Sequence, residues 1–201
     1  MDVGNQLSRA AAKLRPFGAM VVVGAGVSAA HYPMTAQLPP LLWQAIEDAP
    51  DALAELRART GVTGSAKEIL GTDPDTQQIG WQLVREFPIA RAAFQSAFAA
   101  LDADREPSSA HLDLARLISS GHVEAVVSYN WDTCLERSYE RLYGVRLPAG
   151  LLHKPHGDAA HTEGTWVLPD EAGQVTAEIH EHIARLSDRP RTLVVLGYSG
   201  S

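Results

Sequence analysis

Three consecutive valines, Val21–Val23, run straight into Gly24-Ala25-Gly26. Adjacent β-branched residues favour a buried strand, and two glycines one residue apart turn the chain sharply where that strand ends. The pattern predicts a strand over 19–23, and such a strand belongs in a sheet covered by helices. Similar short apolar runs occur at 123–128 and 191–196, the latter ending at Gly197. Two further short strands are predicted at 150–156 and 164–168.

Helical spacing fills the intervals. Leu7, Ala11 and Leu14 predict a helix over 5–15. Residues 40–59 read as one or two helices broken near Asp48-Ala49-Pro50, and 60–75 as a loop with a short helical turn. Residues 76–101 carry Trp81, Val84, Phe94, Phe98 and Leu101 at helical spacing, interrupted at Pro88. Pro107-Ser108-Ser109 is a helix start, and that helix should stop at Gly121. Further helices are predicted from Asp132 to about Leu142 and over 175–187. Alternating strands and helices imply an α/β fold: a Rossmann-like, mainly parallel sheet flanked by helices. The stretch 38–106 is too long for a plain crossover and reads as a helical insertion suited to capping a ligand site.

The chain has 201 residues and is 45% hydrophobic, enough for a single domain spanning 1–201. Its net charge of -7 argues against holding nucleic acid through phosphate neutralisation. Cys134 is the sole cysteine, so neither an internal disulfide nor a Cys-rich zinc module is expected. A reducing, cytoplasmic setting follows. Arg9, Lys13 and Arg15 before the apolar stretch from Phe17 to Ala30 imitate a secretory signal. The glycines at 18, 24 and 26 and the valine run favour a strand instead. No segment reaches the ~20 apolar residues that span a bilayer.

In open α/β sheets ligands bind beyond the carboxyl ends of the strands. The segments in those places are Gly24-Ala25-Gly26-Val27-Ser28, Ser128-Tyr129-Asn130-Trp131-Asp132, His156-Gly157-Asp158 and Gly197-Tyr198-Ser199-Gly200-Ser201. The first is a Gly-x-Gly turn that lets backbone N–H groups approach a pyrophosphate, and with Ala29 it fits one form of the dinucleotide fingerprint. A nicotinamide dehydrogenase is nonetheless disfavoured. Pro33 interrupts the helix such a site needs, and no second strand ends in an acidic residue about 20 residues on.

GAGVS at 24–28, PSSAHLDLARL at 107–117, SYNWD at 128–132, KPHGD at 154–158 and LGYSGS at 196–201 stand in an order that resembles the sirtuin superfamily. The chain is most similar to SIR2-like domains of the zinc-free kind found in bacterial antiphage defence. The resemblance implies that the GAGVS turn (Gly24, Ala25, Gly26, Ser28) holds the pyrophosphate of NAD. It implies that Asn130 positions the nicotinamide ribose and attacking water, that Asp132 borders the nicotinamide pocket with Ser128 nearby, and that His156 is the general base. Gly197 and Ser199 would touch the adenosine half. Two departures from the deacetylases stand out: the missing four-cysteine zinc module, and Tyr32-Pro33-Met34-Thr35-Ala36-Gln37 where they carry a Pro-Asp-Phe-Arg stretch. Both point to NAD cleavage rather than acyl-lysine removal.

The expectation is a metal-independent NAD hydrolase that releases nicotinamide and ADP-ribose, with Asn130 and His156 catalytic. The alternatives are a non-catalytic NAD or ADP-ribose sensor and an NAD-dependent deacylase or ADP-ribosyltransferase. No nucleic acid or membrane partner is expected; further domains, defence-system subunits and a homo-oligomer stay open. The sequence stops just inside the last motif, where the family continues, so either a fragment truncated at its C-terminal edge or a domain of a longer protein is expected.

Structural readings stand beside these. Asp132 suits a helix cap, His111 a bond to a neighbouring loop, and Cys134 an inert buried thiol. Trp43, Trp81, Phe94 and Phe98 read as core, and His180 and His182 as surface residues. Trp131 and Tyr198 adjoin the motifs. His153, His156, Asp158 and His161 are metal-ligand types, but their spacing matches no metal motif.

Overall fold

The computed structural model describes residues 18–29, 38–71, 73–164, 166–171, 184 and 192–197. The helix expected at 5–15, the one expected at 175–187 apart from residue 184, the Tyr32–Gln37 stretch, and His180, His182, Tyr198 and Ser199 lie outside them.

Four strands form one parallel sheet: β1 (Ala19–Val23), β2 (Val123–Ser128), β3 (Leu152–His153) and β4 (Thr192–Leu196), in the order β3-β2-β1-β4. Val23 at the end of β1 is level with Ser128 and with Leu196, so three strand ends line up along one edge. Val126 and Val127 of β2 pair with Leu152 and His153 of β3. With the helices, this is an α/β, Rossmann-like arrangement.

The described residues include seven α-helices. Two of them, α6 (Ser109–Ser119) and α7 (Cys134–Tyr143), belong to the same compact unit as the sheet. One face of β1, Val21 and Val23, packs with Leu114, Ala115 and Ile118 of α6 and with Leu135 and Tyr139 of α7. The opposite face carries Met20 and Val22, grouped with Ala125, Val127 and Tyr129. Apolar residues on both faces are what a fully covered parallel strand requires.

The remaining helices form a second compact unit with residues 159–173. They are α1 (Pro39–Glu47), α2 (Pro50–Thr60), α3 (Ala66–Leu70), α4 (Pro74–Glu86) and α5 (Pro88–Ala103). The expected helical insertion is therefore present. Pro50 and Pro88, which punctuate the sequence, each open a helix in its first turn, where a missing N–H costs nothing. Ser65 and Glu68 close a capping box at α3, and Asp73 accepts the Thr76 N–H at α4. Trp81, Phe94, Phe98 and Trp166 form an edge-to-face cluster, with Trp166 fully buried. Trp43 is only half-buried, and its indole Nε1 lacks a hydrogen-bond partner.

Two expectations about strands are corrected. The segment around 150–156 pairs over only two residues, Leu152 and His153. At 164–168, the described residues make no strand: Trp166 and Leu168 are buried in an irregular segment whose Trp166 carbonyl accepts a bond from Arg91 Nη2 at 2.5 Å. Side-chain burial in the helical unit, rather than a sheet ladder, explains the apolar run there. No helix among the described residues is long and apolar enough to cross a membrane.

Candidate functional site

The aligned ends of β1 and β2, with the segment after β3, gather most of the residues singled out in the sequence. After β1 the chain makes one 3-10 turn, Ala25–Val27. The Gly24 N–H donates to Leu196 O at 2.9 Å and the Gly26 N–H to Gly197 O at 2.8 Å. A Cβ on Gly26 would lie 2.8 Å from Gly197 Cα, and one on Gly197, whose φ is +59°, would lie 2.3 Å from Val27 N. The glycines at this junction let the backbones beyond β1 and β4 meet. The Val27 and Ser28 amides also donate inside the turn, to Gly24 O and Ala25 O. Ala25 is exposed.

Beneath the turn lies a buried polar network. Asn130, 8% exposed, follows β2; its Nδ2 donates to Gly24 O at 3.1 Å and to Ser28 Oγ at 3.3 Å. Its own N–H donates to Ser128 Oγ at 3.3 Å. Ser28 Oγ, 2% exposed, donates to Asp132 Oδ2 at 2.8 Å. The other carboxylate oxygen of Asp132 accepts the Cys134 N–H at 3.1 Å, so Asp132 holds both Ser28 and the first residue of α7, whose N-cap position is Thr133 rather than the expected Asp132.

His111, 2% exposed, completes the network from α6. The Ser108 N–H donates to its Nδ1 at 3.2 Å, and Ser108 Oγ lies 2.8 Å from the same atom. With Nδ1 accepting, Nε2 carries the proton and donates to Ser28 Oγ at 3.3 Å. Ser28 Oγ thus accepts from Asn130 and His111 and gives its proton to Asp132. This polarity excludes His111 as a base toward Ser28, since its Nε2 lone pair is already protonated. Ser28 is a hub rather than a nucleophile.

Asn130 acquires a fixed orientation from this arrangement. Gly24 O can only accept, so the amide nitrogen must face it. Both Nδ2 protons then have partners inside the protein, and the side-chain oxygen is the atom of Asn130 left to accept other bonds.

His156 sits half-buried in the segment after β3. Its ring packs edge-on against Tyr129, centroids 4.8 Å apart, and its carbonyl accepts Trp131 Nε1–H at 2.7 Å. Both neighbours of Asn130 therefore touch His156. Burial lowers the imidazole pKa from its ordinary 6.5, while a hydrogen bond with the Tyr129 backbone pulls the other way. The net effect is a ring that is neutral, and able to accept a proton, near pH 7.

The structure thus joins Gly24, Ser28, Ser128, Asn130 and Asp132 in one network, with Gly26 and Gly197 at its rim and His156 braced to the segment carrying Asn130. His111 joins through a bond to a neighbouring loop, as its place near a helix start led one to expect, but its link to Ser28 and Asp132 was not foreseen. Lys154 was not foreseen at all. Its side chain is 6% exposed, and its Nζ lies 2.5 Å from Asp132 O, 3.2 Å from Trp131 O, 2.9 Å from Asp158 Oδ1 and 3.2 Å from Glu136 Oε1.

Among the described residues, His111, Asp132 and Cys134 are the group of three metal-ligand types whose ligand atoms lie within 4.8 Å of one another. A metal bound there through His111 Nε2 would have to displace the proton that this nitrogen donates to Ser28. Neither a protein-family model nor a curated protein matches the chain.

Proposed function

We propose that this protein is an NAD hydrolase of the SIR2-like kind that breaks the bond between nicotinamide and ribose. The single observation that carries the reading is the placement of Asn130 and His156 just beyond adjacent parallel strands, with Tyr129 and Trp131 both touching His156. Ligands of open parallel sheets bind beyond such ends.

The chemistry suits those two side chains. The nicotinamide of NAD leaves from a cationic state, so its departure needs little acid help, unlike an ordinary glycoside oxygen. As the C1′–N bond breaks, its electron pair goes to nicotinamide, which leaves neutral, and an oxocarbenium-like ribose remains. The Asn130 carbonyl oxygen accepts a hydrogen bond from the attacking water or a ribose hydroxyl and fixes its direction. The neutral imidazole of His156 takes the proton as the new C1′–O bond forms and later releases it to solvent. The products are nicotinamide, ADP-ribose and one proton. General-base help of this kind is worth about 100- to 10,000-fold. No step requires a metal ion.

The network under Asn130 supports the reading further. It fixes the one atom the mechanism asks of Asn130. The cytoplasm, where NAD is available, and a role in bacterial antiphage defence belong to this same proposal.

The test is nicotinamide release from NAD by the purified chain, beside His156→Ala and Asn130→Ala. Release by the wild type that both substitutions reduce at least 100-fold supports the reading. Release unaffected by either would refute the assignment of the site. Binding of NAD without release by any form would favour a sensor. Release only in the presence of an acylated peptide would favour a deacylase.

A further inference from the structure

We propose that Lys154 is a positioning residue of this site: its buried ammonium ties the segment that carries Asn130 to the segment that carries His156. The inference rests on the assignment of those two residues given above.

A lone lysine in a loop is ordinarily a solvated surface residue. Lys154 is instead almost completely enclosed. Its ammonium faces four oxygens from three stretches of chain. The carbonyls of Trp131 and Asp132, at 3.2 and 2.5 Å, immediately follow Asn130. The carboxylate of Asp158, at 2.9 Å, lies two residues beyond His156. The carboxylate of Glu136, at 3.2 Å, comes from the first turn of α7. A second tie runs the opposite way, from Trp131 Nε1–H to His156 O at 2.7 Å. The two segments are therefore laced in both directions around the proposed catalytic pair.

Charge supports the assignment. Burial works against the ammonium, but the carboxylates of Glu136 and Asp158 outweigh it, and Asp132 adds to them, so the Lys154 pKa stands above its ordinary value. Lys154 stays protonated at neutral pH and keeps all three of its N–H donors. A buried ion pair is in itself poor evidence of a contribution to stability, because apolar residues often replace one without loss. The two backbone carbonyls are the distinctive feature, since an apolar residue of the same length offers them nothing.

The test separates positioning from folding. The single variant Lys154→Met leaves two partly buried carboxylates without their cation and is expected to fold poorly. The triple variant Lys154→Met/Glu136→Gln/Asp158→Asn removes the cation and both partner charges at nearly constant volume. Trp131→Phe removes the Nε1–H donor of the reverse tie. Each variant is read in two ways: by NMR titration of the His156 imidazole without NAD, and by kcat and KM for nicotinamide release.

In the triple variant the His156 titration is expected to move up toward the ordinary value and the ring to lose its contact with Tyr129. The kcat is expected to fall about 100-fold, the usual cost of an ångström-scale misplacement, with KM changed far less. Trp131→Phe should show smaller effects in the same direction. If a folded triple variant keeps the wild-type His156 titration and Tyr129 contact, the proposal is overturned, whatever happens to kcat. If His156 moves while an active enzyme keeps its kcat, it is overturned as well. If His156 moves and the wild type does not cleave NAD, the lysine still positions His156, and it is the NAD hydrolase reading that fails.

Discussion

Replacing Gly26 with alanine tests how the strand ends are joined. The added Cβ would lie 2.8 Å from both Cα and O of Gly197 and 3.1 Å from its carbonyl carbon. Carbon atoms in good contact stand ~3.5–4.0 Å apart, so the junction must open by roughly 1 Å. These neighbours are backbone atoms and cannot swing aside as a side chain would. An opening of that size breaks the bond from Gly26 N–H to Gly197 O, now 2.8 Å long. Overpacking costs about 1–3 kcal/mol, and a backbone group left without its partner costs about 1–3 kcal/mol more. The expected loss is therefore about 2–6 kcal/mol, a large part of a typical domain's stability. Gly144→Ala is the control. That glycine ends α7 at φ +68° with nothing within 4 Å of an added Cβ, so its cost is the left-handed backbone alone, about 1–2 kcal/mol. Urea denaturation followed by circular dichroism measures both. If Gly26→Ala is no more destabilising than Gly144→Ala, the close approach of the strand ends does not constrain this position.

Other consequences are equally direct. Because burial holds the His156 pKa below 6.5, more than half of the imidazole is neutral at that pH, and NAD cleavage should run above half of its plateau rate there. The rate should fall as the pH drops and the base is protonated; a profile whose acid limb has its midpoint above 6.5 would contradict the burial of His156. Asn130→Asp keeps the acceptor but loses both donors and sets a carboxylate against Gly24 O; a stability loss of about 1–3 kcal/mol is expected in chemical denaturation, together with a fall in kcat. His111→Ala removes the donor to Ser28 and the partner of Ser108, and it too should lower stability by at least about 1 kcal/mol, with an unchanged denaturation midpoint arguing against the network.

The sequence displayed the sheet most clearly where chemistry is least ambiguous. Val21–Val23, Val123–Ser128 and Thr192–Leu196 are short apolar runs next to turn residues, and each forms a strand. Thr165-Trp166-Val167-Leu168 has the same local appearance, yet its described residues form no strand. Such a short apolar run fits a buried strand and a core-filling segment equally well, and here the Trp81, Phe94 and Phe98 side chains decide. β3 is shorter than the pattern over 150–156 predicts, since only Leu152 and His153 pair and the chain turns at Pro155 and His156.

At the site, Asn130, Asp132 and His156 were legible because each stands just beyond a strand. The partnership of Ser28 with Asp132 joins residues 104 positions apart, and local pattern cannot reveal it. Lys154 left even less trace. Asp158 four residues on is a common surface pairing, whereas Glu136 and the carbonyls of Trp131 and Asp132 become neighbours only when the chain folds.

The most direct measurement of the central claim is a double-mutant cycle on nicotinamide release, using Asn130→Ala, His156→Ala and the combined variant. If the asparagine aligns the group whose proton the histidine removes, the two act as a unit. The combined variant should then be little slower than the worse single one. Losses that simply multiply, or a rate that neither substitution changes, would contradict the pairing of Asn130 with His156.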